Sequence, residues 1–240
     1  MARGMTLPLA STVGPSAYWY LTRSTGTTAL ILLTLSLVLG VIDVQRYTSP
    51  RMPRFVVDGM HRTVSLLAVV FLVVHILTAA LDSFASVPLT DAIVPFVGSY
   101  RPFWLGLGAA SFDLMLAVVI TSLVRRRLGY RAWRATHWLA YASWPIALLH
   151  TLGTGSDVKS GWMIAISGGC LAAVLFAVVV RVAAGWPRQV GVRGTALGLA
   201  VFFAAGVALW LPSGPLGAGW ARRSGTPSSL LRPATNKHPG

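Results

Sequence analysis

Four histidines carry the chemistry available to this sequence. His61 and His75 stand fourteen positions apart, His137 and His150 thirteen, and both pairs fall in strongly apolar stretches. The fifth, His238, sits in a polar tail and is set aside. At about 1.5 Å rise per residue, each pair separates its imidazoles by roughly 20 Å along a helix. With the two helices running the same way, His61 is level with His137 and His75 with His150. Two levels, each offering one neutral imidazole from either helix, suit two bis-histidine b-type hemes. Each flat macrocycle would lie edge-on between the helices, its iron taking an axial nitrogen from each side. Single intramembrane histidines also serve as packing residues or proton carriers, so a non-redox transporter or scaffold is the competing class. Zinc and di-iron sites fit poorly, because their ligands converge at i, i+3 or i+4 spacing and include carboxylates.

The rotational phase differs between the pairs. Fourteen residues at about 100° fall roughly 40° short of four turns, so His61 and His75 share a helix face; thirteen fall roughly 140° short. The span bearing His137 and His150 must therefore be distorted, and Pro145 between them is the expected cause.

The elements that hold these residues follow from composition. Of 240 residues, 55% are hydrophobic and 11% charged, against about 25% charged in a soluble domain. That excludes an ordinary globular enzyme and a disordered chain alike. Net charge is +14, from 20 Lys plus Arg and 6 Asp plus Glu. The basic residues lie in short loops between apolar runs and not on one solvated face, so nucleic acid is not the expected partner and the lipid bilayer is. One cysteine, Cys170, excludes a disulfide framework, an iron–sulfur cluster and a thiolate zinc site. Six runs approach the length of about 20 residues that a crossing needs: Thr27–Val44, Thr63–Leu81, Phe103–Val124, His137–Leu152, Trp162–Ala184 and Thr195–Leu211. The fold class is thus an all-α integral membrane bundle of about six helices, multi-pass in the cell membrane. The fourth run is the weakest and would need protein or a cofactor around it.

Basic loops orient the bundle. Arg46, Arg51, Arg54 and Arg62 fall in or beside the first loop, Arg125, Arg126, Arg127, Arg131 and Arg134 in the third, and Arg188 and Arg193 in the fifth. The second and fourth carry only Arg101 and Lys159, so the odd loops are cytoplasmic and both termini outside. Arg222, Arg223, Arg232 and Lys237 in the tail pull mildly the other way. Residues 1–26 read as an N-terminal segment without a removable signal peptide. Residues 27–184 read as the heme-binding core, 185–211 as a basic loop with an additional span, and 212–240 as a disordered tail.

Three stretches carry a family resemblance: Gly59-Met-His-Arg-Thr-Val-Ser through His75, Tyr100-Arg-Pro-Phe-Trp-Leu-Gly-Leu-Gly, and Arg125-Arg-Arg-Leu-Gly-Tyr-Arg-Ala-Trp-Arg-Ala-Thr-His137 through His150. Together they resemble the ferric reductase-like transmembrane domain of ferric reductases, NADPH oxidases and the heme subunit of the methionine-sulfoxide reductase system. The resemblance implies a heme-binding electron carrier, with His61 and His137 on an inner heme and His75 and His150 on an outer one. The methionine-sulfoxide reductase branch lacks the first histidine, so His61 favours the other branch. Service to an extracytoplasmic methionine-sulfoxide reductase is the alternative. Ferric reductases and oxidases usually continue into a flavin and NAD(P)H domain, whereas only residues 212–240 follow the last span here. The expected donor is therefore a separate cytoplasmic flavoprotein or quinol, and the acceptor ferric iron, oxygen or an extracytoplasmic redox protein. Gly106-Leu-Gly108 only superficially resembles a dinucleotide fingerprint, since no strand precedes it.

Supporting roles fall to a few charged residues. Arg62, Arg131 and Arg134, close to His61 and His137, are candidates for inner heme propionates. Arg101 and Lys159 are the corresponding outer cations. Asp113, the one carboxylate deep in a span, is a candidate proton carrier or acceptor for an axial histidine's free N–H.

Overall fold

In hydrocarbon the backbone must satisfy its own N–H and C=O groups, so apolar runs of this length fold as helices. The computed structural model describes residues 16–44, 54–82, 85, 87–184 and 190–231, and its elements are all helices. They are α1 (Ala17–Val44), α2 (Arg54–Leu81), α3 (Thr90–Ile93), α4 (Pro102–Leu123), α5 (Arg125–His137), α6 (Leu139–Thr154), α7 (Gly161–Ala183), α8 (Val190–Trp210), α9 (Trp220–Arg223) and α10 (Ser228–Leu231). Arg46, Arg51, Arg188, Arg232, Lys237 and His238 lie outside the described residues.

Five helices, α1, α2, α4, α7 and α8, are long and apolar enough to cross a membrane. The sixth expected span is α6, with only 16 residues, and its Ser143, Trp144, Leu148, Leu152 and Gly153 are buried among its neighbours. Helix α1 begins ten residues before the expected Thr27, through a segment rich in hydroxyls. Those hydroxyls turn back onto their own helix: Thr25 Oγ1 donates to the Leu21 carbonyl at 2.6 Å and Thr27 Oγ1 to that of Arg23 at 2.9 Å. Polar side chains satisfied in this way leave the helix compatible with the bilayer.

The expected distortion between His137 and His150 is present, but Pro145 is not where the helix is interrupted. Pro145 lies within α6, and the interruption falls at Trp138, so His137 closes one helix and His150 belongs to the next. Around it the backbone tightens to i→i−3 bonding, with Trp138 N–H donating to Ala135 O at 3.3 Å and Tyr141 N–H to Trp138 O at 3.0 Å. A turn with three residues per revolution advances about 20° more per residue than an α-helix, which recovers part of the missing rotation. Helix α5 is itself kinked at Gly129, whose φ of 77° lies in the left-handed region that glycine occupies without strain.

Two helix pairs make the core. Helix α1 packs along α2, and α4 along α6, while α1 also meets α6 and α7 and so joins the halves. Polar bonds between the helices fix the register. Ser36 Oγ and Ser65 Oγ are 2.6 Å apart between α1 and α2. Ser111 Oγ donates to the Ser143 carbonyl at 2.9 Å between α4 and α6, and Trp144 Nε1 to Thr34 Oγ1 at 2.8 Å between α6 and α1. Apolar packing of Leu30, Leu33, Leu148, Leu152 and Val174 fills the space around them.

The stretch from Pro212 to Leu231 departs from the disordered tail expected of its Pro, Gly and Ser content. It folds over the end of the bundle where α4 begins and α6 finishes. Trp220 Nε1 donates to the Gly153 carbonyl at 3.1 Å, and its ring packs on Trp104 and Trp210 at centroid distances of 5.2 and 5.6 Å. Arg101, 7% exposed, is the clamp. Its Nη1 donates to the Gly153 and Thr154 carbonyls, each at 3.0 Å, and its Nε to Thr226 Oγ1 at 2.9 Å. Its backbone N–H donates to Gly225 O at 3.0 Å. A cation on the terminal carbonyls of α6 also complements that helix's dipole. The tail therefore shares the end of the second and fourth loops.

Two substitutions test this account. Arg101→Ala removes three charged hydrogen bonds and should cost about 3 kcal/mol, with limited proteolysis cutting faster between Pro212 and Leu231. Trp144→Phe replaces the buried indole with a smaller ring and loses the bond to Thr34, and should lower unfolding stability in detergent by about 2 kcal/mol, more than the hydrogen bond alone contributes.

Candidate functional site

The helices bring the four histidines together as two pairs. The His61 and His137 rings lie 6.4 Å apart between centroids with planes at 73°, and the His75 and His150 rings 6.4 Å apart at 80°. Two metal–imidazole bonds of about 2 Å, with about 1.2 Å from each nitrogen to its ring centre, span about the same distance. The level-to-level match read from the spacing is thus realised, although His137 and His150 come from two successive helices, α5 and α6, and not from one span. Helices α2 and α6 do not pack against each other as α1 packs on α2 or α4 on α6, so the histidine-bearing helices are held apart across their imidazoles.

Each ring's far nitrogen determines what the near one can do. His75 Nδ1 is 2.7 Å from the Thr22 carbonyl, His61 Nδ1 2.9 Å from that of Ser36, and His150 Nδ1 2.9 Å from that of Trp104. A carbonyl only accepts, so Nδ1 carries the proton in all three and Nε2 keeps its lone pair for a metal. A bound N–H also makes the imidazole a stronger donor to that metal. His137 differs: its Nδ1 is buried without a hydrogen-bond partner among the described residues.

A cavity of about 680 Å³ opens beside His75 and His150, the outer pair in the orientation expected from the basic loops, lined by these two histidines with Leu33, Phe112, Met115 and Ala147. Pockets of about 300–1,000 Å³ take cofactor-sized ligands. Nearer the outer end, Arg23, Tyr100 and Asp157 also line it. Among the described residues no three of His, Cys, Asp and Glu converge on a point. Each pair therefore offers two ligands, the number that a macrocycle-bound iron takes from the protein. At the His75–His150 pair, two proton-oriented imidazoles facing an apolar cavity fit heme.

The remaining expected residues are placed less closely. Arg62, Arg131 and Arg134 are exposed at the inner end, and Arg134 Nη1 lies 3.4 Å from the Tyr130 hydroxyl. Asp113 sits half-buried in α4 and is not the acceptor for any of the three bonded imidazoles, whose N–H groups go to backbone carbonyls. Arg101 is engaged with the end of α6 and the tail, and Lys159 is exposed. The cation that does line the outer cavity is Arg23, ion-paired to Asp157, with its Nη1 3.1 Å from Ser156 Oγ and its guanidinium 3.7 Å over the Trp19 ring. It was missed because the hydroxyl-rich start of α1 reads as a segment outside the core. A helical Trp19-to-Arg23 spacing of four was the available signal.

Comparison with known proteins bears on this arrangement. Residues 25–148 match the family model described as ferric reductase like transmembrane component, while no curated protein and no solved structure matches the chain. The match covers more than half of the 240 residues and takes in His61, His75 and His137, stopping just short of His150. With its apolar helices, the chain is a multi-pass membrane protein, and it belongs to the ferric reductase-like transmembrane family.

Proposed function

We propose that this protein is a b-type diheme cytochrome that carries electrons across the membrane, from a separate cytoplasmic flavoprotein or quinol to an outer acceptor such as ferric iron, oxygen or a redox protein. The observation that carries the reading is the repetition of one geometry at two levels: two imidazole pairs with the same 6.4 Å centroid separation. Fourteen residues of α2 separate the levels by roughly 20 Å.

Bound heme supplies reversible one-electron chemistry at iron. The protein's own residues hold and insulate it. His61 and His137 form the inner ligand pair, and His75 and His150 the outer. Leu33, Phe112, Met115 and Ala147 keep the outer site apolar, which favours the less charged state of a bound group. At the inner end α5 exposes Arg125, Arg126, Arg127, Arg131 and Arg134 next to His137. That surface suits an acidic donor protein, and Arg62, Arg131 and Arg134, exposed at the same end, are the cations this reading assigns to inner propionates.

Single substitutions separate the two sites. His75→Ala and His150→Ala should each remove the outer heme and leave the inner, so dithionite-reduced heme absorbance should fall by about half. Loss of both hemes from every single variant would point to one shared site. The near-perpendicular ring planes give an independent signature. An iron held between such rings would have its two dπ orbitals close in energy, so heme-loaded ferric protein should show strongly anisotropic low-spin EPR signals. Rhombic spectra of parallel-ring type would contradict the observed 73° and 80° angles.

A further inference from the structure

Helix α1 carries a second fourteen-residue spacing, Gly26 and Gly40, matching that of His61 and His75 on α2. Each glycine lies against one imidazole. A Cβ on Gly26 would stand 2.7 Å from His75 Cε1 and 2.8 Å from its Nδ1, and one on Gly40 would stand 3.3 Å from His61 Cε1. On α4, Gly108 repeats the arrangement, with a Cβ falling 2.5 Å from His150 Cε1 and 2.6 Å from its Nδ1. In all three cases the carbonyl accepting Nδ1–H belongs to the residue four before the glycine: Thr22, Ser36 and Trp104. Within an α-helix that carbonyl already accepts the glycine's own N–H. The imidazole uses its second lone pair, which is reachable from the side only where the residue above has no Cβ.

The fourth histidine has no such cradle. Fourteen positions after Gly108 stands Ser122, whose Oγ lies 3.3 Å from Trp133 Nε1, and the Trp133 ring packs against His137 with centroids 5.1 Å apart. His137 is therefore oriented by aromatic contact, with Nδ1 unbonded among the described residues.

We propose that Gly26, Gly40 and Gly108 are positioning residues that fix the ring plane and tautomer of His75, His61 and His150, so that the outer heme site is cradled on both sides and the inner on one. This rests on the heme reading above. Displacing an imidazole from its carbonyl weakens its donation to a metal, which raises the midpoint potential or releases the ligand.

The test uses the full chain in membranes, loaded with heme, comparing Gly26→Ala, Gly108→Ala and Gly40→Ala with the parent. Gly169→Ala is the control, since a Cβ there meets nothing within 4 Å. Gly26→Ala and Gly108→Ala should each take heme from about two per chain toward about one, or keep two with a raised outer potential and changed outer EPR signal. The inner signal should stay unchanged and serve as the internal check on folding. Gly40→Ala, with the longer contact, should keep both hemes and shift only the inner potential, while the control matches the parent. Both hemes at parental potentials in Gly26→Ala and Gly108→Ala would overturn the proposal and leave the diheme reading standing. So would loss of both hemes together. A parent that takes up no heme would overturn the reading on which it rests.

Discussion

An imidazole that donates Nδ1–H to a backbone carbonyl has one lone pair left, on Nε2, and a direction in which to present it. Three of the four paired histidines are held by this bond, and its acceptors are not on the helices that carry the histidines. They lie on α1 and α4, at Thr22, Ser36 and Trp104. Helix α1 therefore has to be in register with α2, and α4 with α6, to within a fraction of a turn. The polar bonds between the helices meet that need. Ser36 with Ser65 locks α1 to α2 beside His61, Ser111 with Ser143 locks α4 to α6, and Trp144 with Thr34 joins the two halves. Interhelical hydrogen bonds of this kind contribute only about 0.6 kcal/mol each on average. Their geometric effect exceeds their energetic one, because apolar helix faces in lipid have little else to set register.

The two ends of the molecule are built differently. At the end where α4 begins and α6 finishes, Arg101, Arg23 and the folded stretch from Pro212 to Leu231 tie together α1, α4, α6 and the loops between them, and Trp220 packs on Trp104, whose carbonyl holds His150. At the inner end α5 is exposed along nearly its whole length and His137 is its last residue.

Much of this was legible in the residues. The matched histidine separations, the apolar runs and the weakness of the fourth run all follow from spacing and hydropathy, which report helical rise and burial directly. The rotational deficit between His137 and His150 was also visible, yet its cause was assigned to Pro145. A proline advertises itself in sequence, whereas the tightened turn at Trp138 shows only in the backbone hydrogen bonds of the folded chain. Arg23 and the tail escaped for a related reason. Threonine, glycine and serine read as non-core by composition, and only the folded chain shows Thr25 and Thr27 bonding back to α1 and Gly225 accepting from Arg101. The Gly26 and Gly40 spacing was printed in the sequence, but its meaning depends on which helix lies opposite.

The central claim is that each imidazole pair holds one heme. Quantitative heme analysis of the purified full chain against its protein concentration tests it most directly. The account predicts two b-type hemes per chain; a single heme at saturation, or none, would contradict it.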